Sequence, residues 1–163
     1  MKLSWQQIPS TIISEMLCED FDGVVLDTEH GCFNNETLYN CIQLITAKKC
    51  LVRLTEINKT LIRMCLDAGA SGLIFSTVED ATQAAEIKEL CTYPKYGGKR
   101  GLGLVRQNKW GYSTLVNKPP IIVAQIETKK GIDNLEEIHK QGLDYYMIGP
   151  YDLSASLGVT AEF

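Results

Sequence analysis

The sequence predicts an α/β fold built on a parallel sheet. Six short apolar runs alternate strictly with segments of helical period, the pattern of repeated βα units wound in one direction. Two of the runs, Ile121–Ile126 and Tyr145–Ile148, are joined by a helical stretch from Lys129 to Lys140, which makes them consecutive parallel strands. Each ends in a polar segment, Gln125-Ile126-Glu127-Thr128 and Gly149-Pro150-Tyr151-Asp152. Glu127 and Asp152 therefore fall at the carboxyl ends of neighbouring strands, the edge where parallel α/β folds keep their chemistry. Two carboxylates there suit a hard divalent cation with open positions for a substrate.

The elements follow in order. Leu3–Gln7 is the first strand. Pro9 fits the first turn of a helix through about Glu19, with Ile12, Ile13, Met16 and Leu17 on its inward face. Gly23–Leu26 is the second strand, followed by a helix from about Asn35 to Ala47 with Leu38, Cys41, Ile42 and Ile45 inward. Cys50–Leu54 is the third strand, and Asn58 caps a helix that ends at Asp67-Ala68-Gly69. Gly72–Phe75 is the fourth strand, followed by a helix over Val78–Cys91 that Ser76 or Thr77 can cap. A long connection, Thr92 to Pro120, precedes the fifth strand, and connections of that length are often functional.

The 163 residues form a single domain, 1–163, with no internal repeat, low-complexity tract or linker. A closed (β/α)₈ barrel needs about 250 residues, so two strands and their helices would be missing; an open doubly wound sheet fits the same alternation without closure. An apolar fraction of 45% and a charged fraction of 22% are those of a soluble globular chain. A net charge of −4 argues against nucleic acid as a partner. No run approaches a membrane span, and no signal peptide is visible. None of the six cysteines forms a C-x-x-C pair, so they read as the reduced, mostly buried thiols of a cytoplasmic protein, with Cys32 set apart by its closeness to His30.

The second strand ends in Leu26-Asp27-Thr28-Glu29-His30-Gly31, which places Asp27 and His30 over one pocket as a candidate acid/base dyad. A capping aspartate and a loop histidine are the plainer alternative. The other histidine, His139, sits among Glu136, Glu137 and Lys140 on a solvated helix face. Arg53 lies inside the third strand and needs a partner, either an anion or carbonyl oxygen at the strand end or a neighbouring carboxylate. Asp27, Arg53, Gln125, Glu127 and Asp152 all fall at or near strand ends. The Gly97–Gly103 segment matches no phosphate-binding pattern and reads as a substrate loop or a plain surface loop, with Arg100 and Arg106 as candidate anion contacts.

The chain resembles the HpcH/HpaI aldolase/citrate lyase family, the metal-dependent class II pyruvate aldolases. The matching segments run from Phe21-Asp22 to Gly31, then Val52-Arg53, Leu66-Asp67-Ala68-Gly69, Lys99-Arg100-Gly101-Leu102-Gly103, Gln125-Ile126-Glu127-Thr128 and Gly149-Pro150-Tyr151-Asp152-Leu153-Ser154-Ala155-Ser156-Leu157-Gly158. The resemblance implies a TIM (β/α)₈-type barrel of the phosphoenolpyruvate/pyruvate-binding kind, with only about six βα units in this chain. It implies aldol cleavage or condensation of 2-oxo-4-hydroxy acids, giving pyruvate and an aldehyde through a metal-stabilised enolate.

By the same resemblance, Glu127 and Asp152 hold a divalent metal, Mg²⁺, Mn²⁺ or Co²⁺. His30 with Asp27 is the acid/base, acting through a water, and Arg53 stabilises the enolate oxygen. Gln125 lies beside pyruvate, and the backbone around Tyr151 and Asp152 holds its carboxylate. Arg106 contacts the aldehyde portion, Asp67 is a supporting aspartate near the site, and the protein is a homo-oligomer. A Schiff-base route would need a lysine in the pocket, and none of the 12 lysines falls inside a clear strand. The alternatives are a related citrate-lyase-type or malyl-CoA-type lyase, and a non-catalytic truncated barrel.

Overall fold

Every apolar run becomes a strand in the computed structural model, which describes residues 1–113 and 119–159. Residues 114–118 of the long connection lie outside the described residues. The strands are β1 (Leu3–Gln6), β2 (Gly23–Asp27), β3 (Lys49–Leu54), β4 (Gly72–Phe75), β5 (Ile121–Ile126) and β6 (Tyr145–Ile148). They pair in sequential order, and every pair is parallel. A doubly wound sheet reverses its strand order part-way, and this one does not. Right-handed crossovers in one direction put all helices on one face, so the sheet curls into a half-barrel.

Strand periodicity then sorts the side chains. On the outer face Val24, Leu26, Val52, Leu54, Leu73, Phe75, Ile122, Ala124 and Ile126 pack into the main core with the helices. On the inner face Val25, Leu51, Ile74 and Val123 form a second apolar layer, flanked by Leu3, Ile121 and Met147. Two residues further along the same strands come Asp27, Arg53, Ser76 and Gln125, all buried. The inner layer is apolar at the amino end of the sheet and polar at its carboxyl edge.

The helices correct several expectations. Helix α1 (Thr11–Asp20) begins after Pro9 and Ser10, so Pro9 stands outside its first turn. Its inward face is also rotated: Ile12 and Met16 are 67% and 65% exposed, whereas Ser14 is fully buried. Ser14 Oγ donates to Gln6 Oε1 at 2.8 Å, a buried polar pair that counting apolar residues cannot detect. Helix α2 (Asn35–Leu44) passes into a 3₁₀ turn over Ile45–Ala47, and α3 (Lys59–Ala68) is capped by Asn58 as expected.

Helix α4 (Ala81–Cys91) is capped by Asp80, which accepts from the Gln83 N–H at 3.0 Å; Ser76 and Thr77 are engaged elsewhere. The predicted helix from Lys129 to Lys140 divides at Asn134 into α5 (Lys129–Asp133) and α6 (Leu135–His139). There Asn134 Nδ2 donates to Glu79 O at 2.9 Å. A further helix, α7 (Pro150–Ser156), follows β6 directly. Lys49 opens β3, against the expectation that no lysine enters a strand, but it is exposed at the end away from the polar edge.

Cys41, Cys50, Cys65 and Cys91 are buried, and all six cysteines are free thiols. Burial pushes the Cys65 and Cys91 thiols up to about 12. Among the described residues no helix is long and apolar enough to cross a membrane.

Candidate active site

Arg53 stands at the centre of the polar edge. The register sets it directly beside Asp27 on β2. Arg53 Nε donates to Asp27 Oδ1 at 2.8 Å and Nη2 to Oδ2 at 2.6 Å, a two-pronged pair with both side chains buried. Nη1 reaches Glu29 Oε2 at 2.7 Å, and the Trp5 ring lies 4.9 Å from the guanidinium carbon. Trp5 Nε1 and Gln7 Nε2 also donate to Asp27 Oδ2, at 3.0 and 3.2 Å.

Burial alone would raise the Asp27 carboxyl. The hydrogen bonds from Arg53, Trp5, Gln7 and the Glu29 N–H outweigh it and hold the group well below the usual carboxylate range. Burial would likewise lower Arg53, but the bond to Asp27 and the charges of Asp27, Glu29 and Glu127 raise it. This residue is a fixed cation whose partners are the neighbouring carboxylates.

That arrangement corrects the dyad. Asp27 Oδ1 accepts from the His30 backbone N–H at 3.3 Å, while its side-chain donors are Arg53, Trp5 and Gln7. The His30 side chain is exposed in the loop after β2 and lines the cleft. Gly31 holds that loop against the sheet: a Cβ there would lie 2.2 Å from Asp27 O and 2.7 Å from Gln7 O.

Glu127 follows β5 and is 2% exposed. Its Oε1 accepts from the Thr77 N–H at 2.7 Å and from Thr77 Oγ1 at 2.9 Å, and its Oε2 accepts from Gln125 Nε2. Gly149 presses on the same carboxylate, because a Cβ there would sit 2.4 Å from Oε2. Asp152 is exposed in the first turn of α7. Trp5, His30, Arg53, Gln125, Tyr151 and Asp152 line one cleft of about 370 Å³. Trp5 comes from β1 and Tyr151 and Asp152 from beyond β6, so the curl of the sheet brings its two edges to one site.

Two predicted residues are not brought there. Asp67 and Ala68 lie at the carboxyl end of α3, which in a βα unit is the opposite end of the sheet. Asp67 Oδ1 accepts from Arg100 Nη2 at 2.8 Å, and Arg106 Nη1 donates to Ala68 O at 2.9 Å. Arg100 is buried under the Tyr93 ring and also donates to Gln107 Oε1 at 2.7 Å, so the expected anion contacts of Arg100 and Arg106 are protein contacts.

Sequence reasoning missed Trp5, Gln7, Glu29, Ser76 and Thr77. Trp5 and Gln7 share the inward parity of Leu3, a signal the first strand did contain. The sequence offers Ser76 and Thr77 as helix caps, and their partners in the fold depend on register.

The donor set fits a hard cation. Glu127 and Asp152 supply oxygens only, and Gln125 Oε1 is buried with no hydrogen-bond partner among the described residues, an orphaned acceptor beside Glu127. No three His, Cys, Asp or Glu side chains gather as a metal cluster among the described residues. A pair of carboxylates leaves the remaining coordination positions to water or substrate.

Fold and cleft together define a curled half-barrel of βα units with its polar site at the carboxyl edge of the sheet. Within that class, the chain belongs to the HpcH/HpaI aldolase/citrate lyase family, whose profile matches residues 7–162. It is 35% identical over 164 residues to a 2-keto-3-deoxy-L-rhamnonate aldolase of Shigella boydii, a match covering 94% of this chain and 61% of that protein. The chain thus spans about three fifths of the length of that relative. Among solved structures, a family member from Burkholderia cenocepacia superposes with a TM-score of 0.90 at 29% identity, covering 98% of this chain and 68% of that one. The citrate synthase SbnG superposes with a TM-score of 0.86 at 31% identity, covering 98% and 65%.

Proposed function

We propose that this chain carries the active site of a class II aldolase, cleaving or forming 2-oxo-4-hydroxy acids with pyruvate and an aldehyde as the products of cleavage. The observation that carries the reading is the clamped Arg53 in one cleft with His30, Gln125 and Asp152, with the Glu127 carboxylate buried beside Gln125. Glu127 and Asp152 would hold a divalent cation of the Mg²⁺, Mn²⁺ or Co²⁺ kind. When bound, it would supply Lewis-acid polarisation of a 2-oxo group.

Arg53 directs a fixed positive charge at the oxygen on which negative charge develops, and because Asp27 and Glu29 already orient it, little reorganisation is needed. Asp27 therefore serves Arg53 first. His30, exposed at the cleft mouth, takes the proton of the C4 hydroxyl as the C3–C4 bond breaks, directly or through a water, and delivers it to C3 of the enolate to give pyruvate; the reverse, removal of a C3 proton, begins condensation and exchanges the pyruvate methyl. Gln125 lies beside the pyruvate, and the backbone around Tyr151 and Asp152 faces its carboxylate. Asp67 and Arg106 receive no role in this cleft.

The reading extends to a single barrel domain in a cytoplasmic homo-oligomer. Four buried free thiols support the compartment, and exposed Leu102, Leu104, Trp110 and Tyr112 support the association.

Exchange of deuterium into the methyl group of pyruvate tests the reading without knowledge of the aldehyde. Metal-dependent exchange that disappears in Glu127→Ala and His30→Ala is the expected result. A folded protein that exchanges nothing with metal present would sink it. The likeness to citrate synthase SbnG favours a second reading, carbon–carbon chemistry on a citrate-type acid. Citrate is not a 2-oxo-4-hydroxy acid, so that reading expects no exchange of the pyruvate methyl.

A further inference from the structure

The end of β4 carries two adjacent hydroxyls that serve different carboxylates. Ser76 Oγ donates to Glu29 Oε2 at 2.7 Å, the oxygen that also meets Arg53 Nη1. Thr77 sends both its N–H and its Oγ1 to Glu127 Oε1. We infer that Thr77 is a positioning residue for Glu127 and Ser76 one for Arg53 acting through Glu29, so that one dipeptide sets both charged arms of the cleft. This rests on the reading above in which Glu127 holds the metal.

Backbone geometry supports a dedicated role for Thr77. Its φ is +52°, the left-handed region that a β-branched residue rarely enters. Thr77 is also exposed, so core packing does not force this conformation. A plain surface turn in that conformation would favour glycine or asparagine. The left-handed turn instead aims both donors of Thr77 at one carboxylate oxygen. The next residue ties the turn to its target, since the Val78 N–H donates to Gln125 O at 3.1 Å. Two donors on Oε1 fix the rotation of the Glu127 carboxylate. Oε2 is left on the side of Gly149 and Gln125, beside the segment that carries Asp152.

Groups that orient a metal-binding carboxylate act on metal affinity, which is measurable without turnover. The test is Mn²⁺ binding by titration calorimetry in substrate-free protein, with thermal unfolding recorded for each variant. Thr77→Val keeps the branching and removes the hydroxyl. Thr77→Gly keeps the N–H, relieves the positive φ and also lacks the hydroxyl, so it serves where the valine variant folds poorly. Both are expected to bind Mn²⁺ about 10-fold more weakly, and Thr77→Ser to restore binding to within about two-fold. Ser76→Ala is expected to leave Mn²⁺ affinity unchanged and to raise the KM for pyruvate in the exchange reaction. Unweakened Mn²⁺ binding in the valine and glycine variants, while Glu127→Gln loses it, overturns the inference alone. A native protein that binds no Mn²⁺, or a Glu127→Gln variant that binds it equally well, overturns the parent reading and the inference with it.

Discussion

At the scale of single residues, the cleft depends on a cation that cannot lose its partners cheaply. Arg53 and Asp27 are both buried, and removing one member of such a pair strands the other's charge. Arg53→Ala is expected to lower stability by about 3–5 kcal/mol in urea unfolding. Arg53→Lys keeps a charge but not the fork that reaches Asp27 and Glu29 together, and pyruvate exchange should fall about 10²-fold. Asp27 also sets a pH dependence. Its folded carboxyl is held below the ordinary range, so its stabilising contribution is complete above about pH 5 and is lost as pH falls below about 4. The Asp27→Asn protein should therefore show a flatter stability curve between about pH 4 and pH 2 than the native protein. Parallel curves would show that Asp27 is not the buried anion described. Asp27, Arg53, Gln125 and Glu127 were legible because period-two strands place their last inward residues at the site. The partner of Asp27 was not: a spacing of three suggested His30, whereas the sheet register supplies Arg53.

Strands were more legible than helices because a buried parallel strand is almost continuously apolar, whereas a helix face is a weaker pattern. The inward face of α1 differs from its apolar pattern because Ser14 is buried through its bond to Gln6, a partner in another element. The start of α4 is ambiguous in sequence because Ser, Thr and Asp all cap helices, and Ser76 and Thr77 are engaged by Glu29 and Glu127 instead. This assignment can be tested by replacement. Asp80→Ala should destabilise the protein by about 1 kcal/mol in thermal or urea unfolding. Thr77→Val should leave the far-ultraviolet circular dichroism of the helices unchanged. A loss of helical signal in Thr77→Val with none in Asp80→Ala would return the cap to Thr77.

At the scale of the whole molecule, the site belongs to the curl rather than to any one βα unit. Among the described residues β1 and β6 each have one strand neighbour, yet Trp5 from β1 and Asp152 beyond β6 face the same cleft. A ligand gripped there ties both edges of the sheet together, and it is bound only while the curl is intact. Binding to the folded state alone stabilises by about 2.7 kcal/mol at a ligand concentration 100 times Kd. For a domain of this size that corresponds to a rise in Tm of roughly 5–10 °C. Mn²⁺ with pyruvate is therefore expected to raise the Tm of the native protein by this order, and Mn²⁺ alone by less. Glu127→Gln should abolish both shifts, and Arg53→Lys should abolish the increment due to pyruvate while keeping that due to Mn²⁺. If pyruvate adds nothing to the metal in the native protein, the two edges close over no 2-oxo acid, and the arginine-centred half of the cleft must serve a different anion.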